Sequence, residues 1–192
     1  MSQTKILNWG IVSTGQIAEK FCIDMTHVEN AKVTAVAARK LADASQFAQK
    51  HGIEKVYQGY QSLFDDPAID VIYVATPHNF HFQNVYDALT AGKHVLCEKP
   101  ITISSEEFKT LSTLAKSKNL FLMEAMWTYF LPAVLQAKKW FEQGRIGNIK
   151  HIKADFGYLI PYQSTGRMYN PKLAGGCLFD MGIYPLAIAQ YF

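Results

Sequence analysis

Two residues carry the chemistry that this sequence offers. Lys99 follows Glu98 and precedes Pro100 at the end of an apolar run, Val95-Leu96-Cys97. A lysine fixed at that point sets a cation at the end of a buried strand. Tyr184 lies four residues after Asp180 in Gly-Gly-Cys-Leu-Phe-Asp-Met-Gly-Ile-Tyr-Pro-Leu (175–186). Free tyrosine, with a pKa of ~10, is a poor base at neutral pH. A nearby lysine cation favours the phenolate and makes tyrosine a usable proton acceptor. Oxidation of an alcohol needs such a base, to take the hydroxyl proton while hydride leaves the carbon. If their segment is helical, Asp180 and Tyr184 share one face, and Asp180 can orient the lysine or bind substrate hydroxyls.

The elements that must position these groups alternate from the start. Apolar runs at 6–12, 33–37, 70–75, 94–97 and 120–123 read as strands. Helical patterns lie between them, the first with Ile17, Phe21 and Met25 on one face, the second over 41–50 ended by Gly52, the third over 80–91 ended by Gly92. Ser104 and Glu107 form a capping box ahead of Phe108, Leu111 and Leu114. Strands this apolar between helices imply an α/β, doubly wound (Rossmann) parallel sheet over residues 1–122. The pattern then changes to a helix at 131–143 and an alternating strand at 149–156. Residues 123–192 therefore read as the beginning of a second, α+β domain.

The first turn, Ser13-Thr14-Gly15-Gln16-Ile17-Ala18, matches a dinucleotide fingerprint with serine in the first glycine position and alanine in the third. Backbone from Ser13 to Ile17 would then hold a pyrophosphate at a helix N-terminus. A plain strand-turn-helix has the same pattern, but its place in the first βαβ unit favours the nucleotide. A carboxylate for a free ribose is missing after the second strand, which runs into Arg39 and Lys40. Two cations there suit a 2′-phosphate, so NADP(H) is expected over NAD(H).

With Thr-Pro-His-Asn-Phe-His (76–81), Cys-Glu-Lys-Pro (97–100) and the 175–186 segment, the sequence resembles the Gfo/Idh/MocA oxidoreductase family. Leu-Phe-Leu-Met-Glu-Ala-Met-Trp-Thr-Tyr-Phe-Leu-Pro (120–132) and Ala-Ala-Arg-Lys (37–40) look closest to its NADP-dependent dihydrodiol and D-xylose dehydrogenase branch. The resemblance implies Lys99, Tyr184 and Asp180 as catalytic residues, and a small sugar, polyol or cyclic diol as substrate. It implies a second domain that covers the site and forms a homodimer. Glu98 would hold the lysine ammonium, and Pro100 would fix the turn, where a cis bond is expected. Thr76, His78, His81 and Glu98 fall beside the expected nicotinamide, with helix capping as the alternative for the two histidines; Trp127 and Phe156 fall at a substrate pocket, with core packing as the alternative for each. A non-catalytic NADP-binding sensor on the same fold is the rival expectation.

The remaining signals narrow the class. Basic residues are scattered at a formal net charge of +3, which does not describe a nucleic-acid face. Cys22, Cys97 and Cys177 build neither a disulfide framework nor a zinc spacing, and His78 with His81 lacks further ligands, so no metal and a cytoplasmic setting are expected. The N-terminus shows no secretory signal, and the richest apolar stretch, 125–137, contains Pro132 and is short for a membrane span. The sequence stops at Tyr191-Phe192 inside an apolar pattern, which suggests an incomplete enzyme.

Overall fold

The computed structural model describes residues 5–192; the first part of the stretch read for a signal lies outside the described residues. The chain divides into two compact units, Met1–Glu124 and Ala125–Phe192.

In the first unit, six parallel strands form one sheet: β1 (Leu7–Val12), β2 (Ala31–Ala38), β3 (Lys55–Gln58), β4 (Val71–Val74), β5 (His94–Cys97) and β6 (Leu122–Glu124), in the order β3-β2-β1-β4-β5-β6. The helices are α1 (Gln16–Met25), α2 (Leu41–His51), the short α3 (Gln61–Phe64), α4 (His81–Thr90) and α5 (Ser105–Ser117). Alternate side chains feed two cores. Val12, Ala35, Ala37, Ile72 and Val74 join Leu63, Val85, Leu89 and Leu111 on one face. Ile11, Val36, Ala38 and Tyr73 join Ala18, Cys22 and Phe47 on the other. Both faces are thus covered, which is why the strands read as continuous apolar runs.

Most helix boundaries follow their expected stops. Gly52 ends α2 at φ 66°, and Ser104 accepts the Glu107 amide at 3.2 Å to cap α5. Three details differ from the sequence reading. The α1 face turned to the sheet is Ala18 and Cys22 together with the expected Phe21, whose ring stacks on Tyr73 at 3.9 Å, while Ile17 is 42% exposed. β3 and α3 were not expected; the first is a four-residue edge strand with polar ends and the second is a single turn.

The third difference is in the second unit. Residues 149–156 form no strand, since no strand among the described residues lies beside them to complete a ladder. The unit instead holds a 3-10 turn (Trp127–Phe130), α6 (Pro132–Glu142), a 3-10 turn (Pro171–Leu173), a π turn (Leu178–Gly182) and α7 (Ile183–Tyr191). By length and composition alone, Pro171–Tyr191 rather than 125–137 is apolar enough to cross a membrane, with mean hydropathy 1.2. Ala174 at φ 55° and Gly176 at φ 140° break it, however, and α7 alone has nine residues. A span of the ~30 Å hydrocarbon core needs ~20.

Candidate active site

Parallel pairing puts every strand's carboxyl end on one edge of the sheet. Val12 lies beside Ala37 and Val74, Val74 beside Cys97, and Cys97 beside Glu124. The residues that follow those positions are therefore neighbours along that edge. The chain leaves β1 for β2 on one side, and its later strand β4 lies on the other. In such sheets the crevice at this reversal of strand order takes the ligand.

The turn after β1 is built for close approach. Ser13 holds φ 107°, a region that favours glycine, and is tied by its amide to Ala37 O at 3.0 Å. Its Oγ accepts the Gly15 amide at 3.3 Å. Gly15 begins α1 at φ −76° and ψ 173°, an extended conformation open to any residue. A Cβ there would meet only Ser13 Oγ, at 3.6 Å. Nothing inside the protein demands glycine at 15, so the empty volume above it fits a phosphate resting on the first-turn amides of α1. Thr14 is half-buried, and Gln16 and Ile17 are exposed beside that volume. Ala18, at the third fingerprint position, is fully buried between helix and sheet.

Arg39 and Lys40 follow β2 directly and are both exposed. Lys40 precedes α2 without a side-chain cap, so its charge sits where a helix favours an anion. The residues present thus fit a dinucleotide bearing an additional phosphate on its ribose.

Beyond β4 and β5 the polar groups are tightly engaged. Thr76 Oγ1 accepts from Asn84 Nδ2 at 3.1 Å. His78 is buried with its ring 5.7 Å from that of His81. His81 is 0% exposed, with Nε2 2.7 Å from Thr76 O and Nδ1 2.7 Å from Pro100 O. Two carbonyl acceptors occupy both ring nitrogens, which does not suit a metal ligand.

Glu98 continues the ladder through its amide to Val74 O at 2.9 Å. Its carboxylate accepts the Tyr73 hydroxyl at 2.6 Å and the Lys99 backbone amide at 3.3 Å. Burial pushes the Glu98 carboxyl above its ordinary range, against the pull of those bonds and of the Lys99 charge. Burial, with Glu98 beside it, also pushes the Tyr73 phenol up, which keeps it a donor. The Lys99–Pro100 bond is cis. Cys97 is fully buried, and burial raises its thiol well above the usual range, so it is inert packing.

In the second unit, Tyr184 stands in the first turn of α7 within an aromatic wall. Trp127 Nε1 donates to its phenolic oxygen at 3.2 Å, and the Phe156 ring meets its own edge-on at 5.1 Å. Trp127, Phe156 and Tyr184 are thus gathered in one place. Asp180 falls in the π turn just before α7 rather than in a continuous α-helix. Its carboxylate lies 3.5 Å from Arg167 Nη1, a partner that spacing did not reveal. Gly175 explains how Arg167 comes near: a Cβ there would lie 2.6 Å from Arg167 O and 2.8 Å from Asn170 N. Only glycine lets the motif segment pack against the 166–170 turn.

A doubly wound sheet with a lysine just past its fifth strand, followed by a Gly-Gly-x-x-x-Asp-x-x-x-Tyr helix entry, is a combination that the matches place in one family. Residues 7–126 match the family model described as "Oxidoreductase family, NAD-binding Rossmann fold", and residues 134–192 match the "GFO/IDH/MocA C-terminal domain". The chain belongs to the Gfo/Idh/MocA family. It is 41% identical over 180 residues to trans-1,2-dihydrobenzene-1,2-diol dehydrogenase of Danio rerio, covering 93% of this chain and 53% of that protein. It is 39% identical over 200 residues to D-xylose 1-dehydrogenase (NADP(+)) of Hypocrea jecorina, covering 94% and 51%. Among solved structures, a 3-ketoreductase from Actinomadura kijaniata in complex with NADP and TDP-benzene superposes with a TM-score of 0.89 at 30% identity, over 98% of this chain and 57% of that one. The chain spans about half the length of the curated relatives it matches.

Proposed function

We propose that this chain holds the nucleotide-binding domain and the first part of the substrate domain of an NADP(H)-dependent oxidoreductase. The reaction moves hydride between the cofactor and a CH–OH carbon of a sugar, polyol or cyclic trans-diol. The dihydrodiol, xylose and 3-keto substrates named for its relatives support this class. NADP(H), when bound, supplies the hydride acceptor or donor. Backbone from Ser13 to Ile17 holds its pyrophosphate, and Arg39 and Lys40 hold the 2′-phosphate. Lys99 adds a fixed cation at the crevice, with Thr76, His78, His81 and Glu98 forming the adjoining wall.

Tyr184 takes the substrate hydroxyl proton in oxidation and returns it to the carbonyl oxygen in reduction. The observation that carries this role is the Trp127 N–H aimed at the phenolic oxygen. A donor there stabilises the oxygen while it bears negative charge. Phe156 and Trp127 offer apolar faces to the substrate carbon skeleton, and Asp180 binds substrate hydroxyls.

Residues 123–192 are read as the opening of a domain through which two copies pair. The partners are small molecules rather than nucleic acid or a membrane, and the setting is the cytoplasm, where Cys22, Cys97 and Cys177 stay free as they are here. In the full-length protein, Tyr184→Phe is expected to lower turnover by about 100- to 10,000-fold with NADPH affinity unchanged. Near wild-type rates in that variant would overturn the role. NADPH binding without oxidation of any sugar or diol in a panel would favour a sensor instead.

A further inference from the structure

One peptide group in the Glu-Lys-Pro turn is held on both of its polar atoms by side chains from outside the turn. The Ile101 amide donates to Glu124 Oε1 at 2.8 Å, and the Pro100 carbonyl of the same peptide lies 2.7 Å from His81 Nδ1. Glu124 ends β6 and is registered against Cys97, so its carboxylate reaches forward along the sheet edge to Ile101. His81 opens α4 on the β4 side and is anchored in turn to Thr76 O. The grip therefore spans β4, β5 and β6. Ile101 is only 8% exposed, so its amide has little access to water and needs a protein acceptor. A carboxylate makes that bond charge-assisted and among the stronger ones a backbone amide can form.

We propose that Glu124, with His81 opposite, is a positioning residue for Lys99: together they lock the Pro100–Ile101 peptide and so fix the turn that carries the lysine. The functional consequence rests on the role assigned to Lys99 above. Loops at strand ends are mobile unless tied, and a catalytic group loses effect steeply when it wanders. Every amide from Glu98 to Ile101 has an acceptor, Val74 O, Glu98 Oε2 and Glu124 Oε1, with Pro100 donating none. Glu124 supplies the one acceptor that comes from a neighbouring strand's side chain.

The test uses full-length protein with Glu124→Leu, Glu124→Gln and Lys99→Ala. Three quantities are measured: amide hydrogen exchange at Ile101, the rate at which an acylating reagent labels Lys99, and kcat beside NADPH affinity. Wild type should protect the Ile101 amide. Glu124→Leu should lose that protection, change the Lys99 labelling rate several-fold and lower kcat on the order of 10- to 100-fold. NADPH affinity should change less than about 3-fold, and Glu124→Gln, whose amide oxygen still accepts, should restore kcat to within about 3-fold of wild type. An Ile101 amide that exchanges like an open loop in wild type overturns the proposal even if Glu124→Leu fails to fold. Unchanged Lys99 labelling in a folded Glu124→Leu overturns it too, as does an equal loss with Gln and Leu. Wild-type turnover in Lys99→Ala would instead remove the catalytic role of the lysine, while exchange and labelling still decide the clamp.

Discussion

Replacing Gly15 by alanine, and separately Gly10, distinguishes a glycine kept for a ligand from one kept for packing. At Gly15 the backbone is at φ −76° and an added methyl meets nothing nearer than Ser13 Oγ at 3.6 Å. Alanine there restricts the unfolded chain, worth about 0.4–1 kcal/mol of stabilisation. Against that, alanine is a poorer N-cap than glycine by several tenths of a kcal/mol or more. The two nearly cancel, so the nucleotide-free protein should melt within about 2 °C of wild type. The same methyl fills the volume assigned to a phosphate. Losing one or more charge-assisted amide bonds at about 1.5–3 kcal/mol each weakens NADPH by about 10- to 150-fold. Gly10 reverses the outcome. Its Cβ would lie 2.7 Å from Leu63 Cδ1, 3.1 Å from Ile72 Cδ1 and 3.3 Å from Ile69 Cγ2, all in buried side chains. Overpacking of this kind costs about 1–3 kcal/mol, with NADPH affinity of the folded fraction retained. Differential scanning calorimetry without nucleotide and a fluorescence titration with NADPH report the two quantities. A large drop in apo stability for Gly15→Ala, or undiminished NADPH binding, would refute the assignment of that volume.

Three further outcomes are expected. Arg39→Ala should weaken NADPH far more than NADH, by about 1.5–3 kcal/mol per lost phosphate bond; equal binding of both cofactors by wild type would contradict this. Lys93 is buried with Nζ donating to Asp66 O at 2.6 Å and Ile69 O at 2.8 Å, so Lys93→Met should cost about 1–3 kcal/mol for each carbonyl left without a donor. Denaturant titration checks that, and an unaffected midpoint would sink it. Glu98 has a folded pKa raised by burial, so its contribution to stability is complete below its unfolded value of ~4.3 and is lost as pH rises through the folded value. The melting temperature of Glu98→Gln relative to wild type should therefore rise from pH ~4 to ~7; a flat or falling difference would show that burial does not govern this carboxyl.

The sheet was legible because its central strands are buried on both faces and announce themselves as apolar runs. β3 was not, since Lys55 and Gln58 leave only Val56 and Tyr57 within the strand as a signal. The α1 face was legible in Phe21 and not in Ile17 for an instructive reason: periodicity weighs large side chains, whereas close helix–sheet contact also selects the small Ala18 and Cys22. Residues 149–156 alternate as a strand should, but alternation describes a face and not the neighbour that must pair with it.

The site divides along the same line. Motif residues were legible by type, while their partners were not, because spacing along a chain carries no record of contacts made across it. Tyr73 bonds Glu98 across 25 positions, Ile101 bonds Glu124 across 23, and Trp127 bonds Tyr184 across 57. Glu98 shows what this changes. Read from the motif, its carboxylate was the holder of the Lys99 ammonium. In the fold its oxygens also accept the Tyr73 hydroxyl and the Lys99 amide, so it constrains the lysine through the main chain as well. A side chain that grips backbone fixes where its neighbour starts, and the Lys99 charge acts on the Glu98 carboxyl besides.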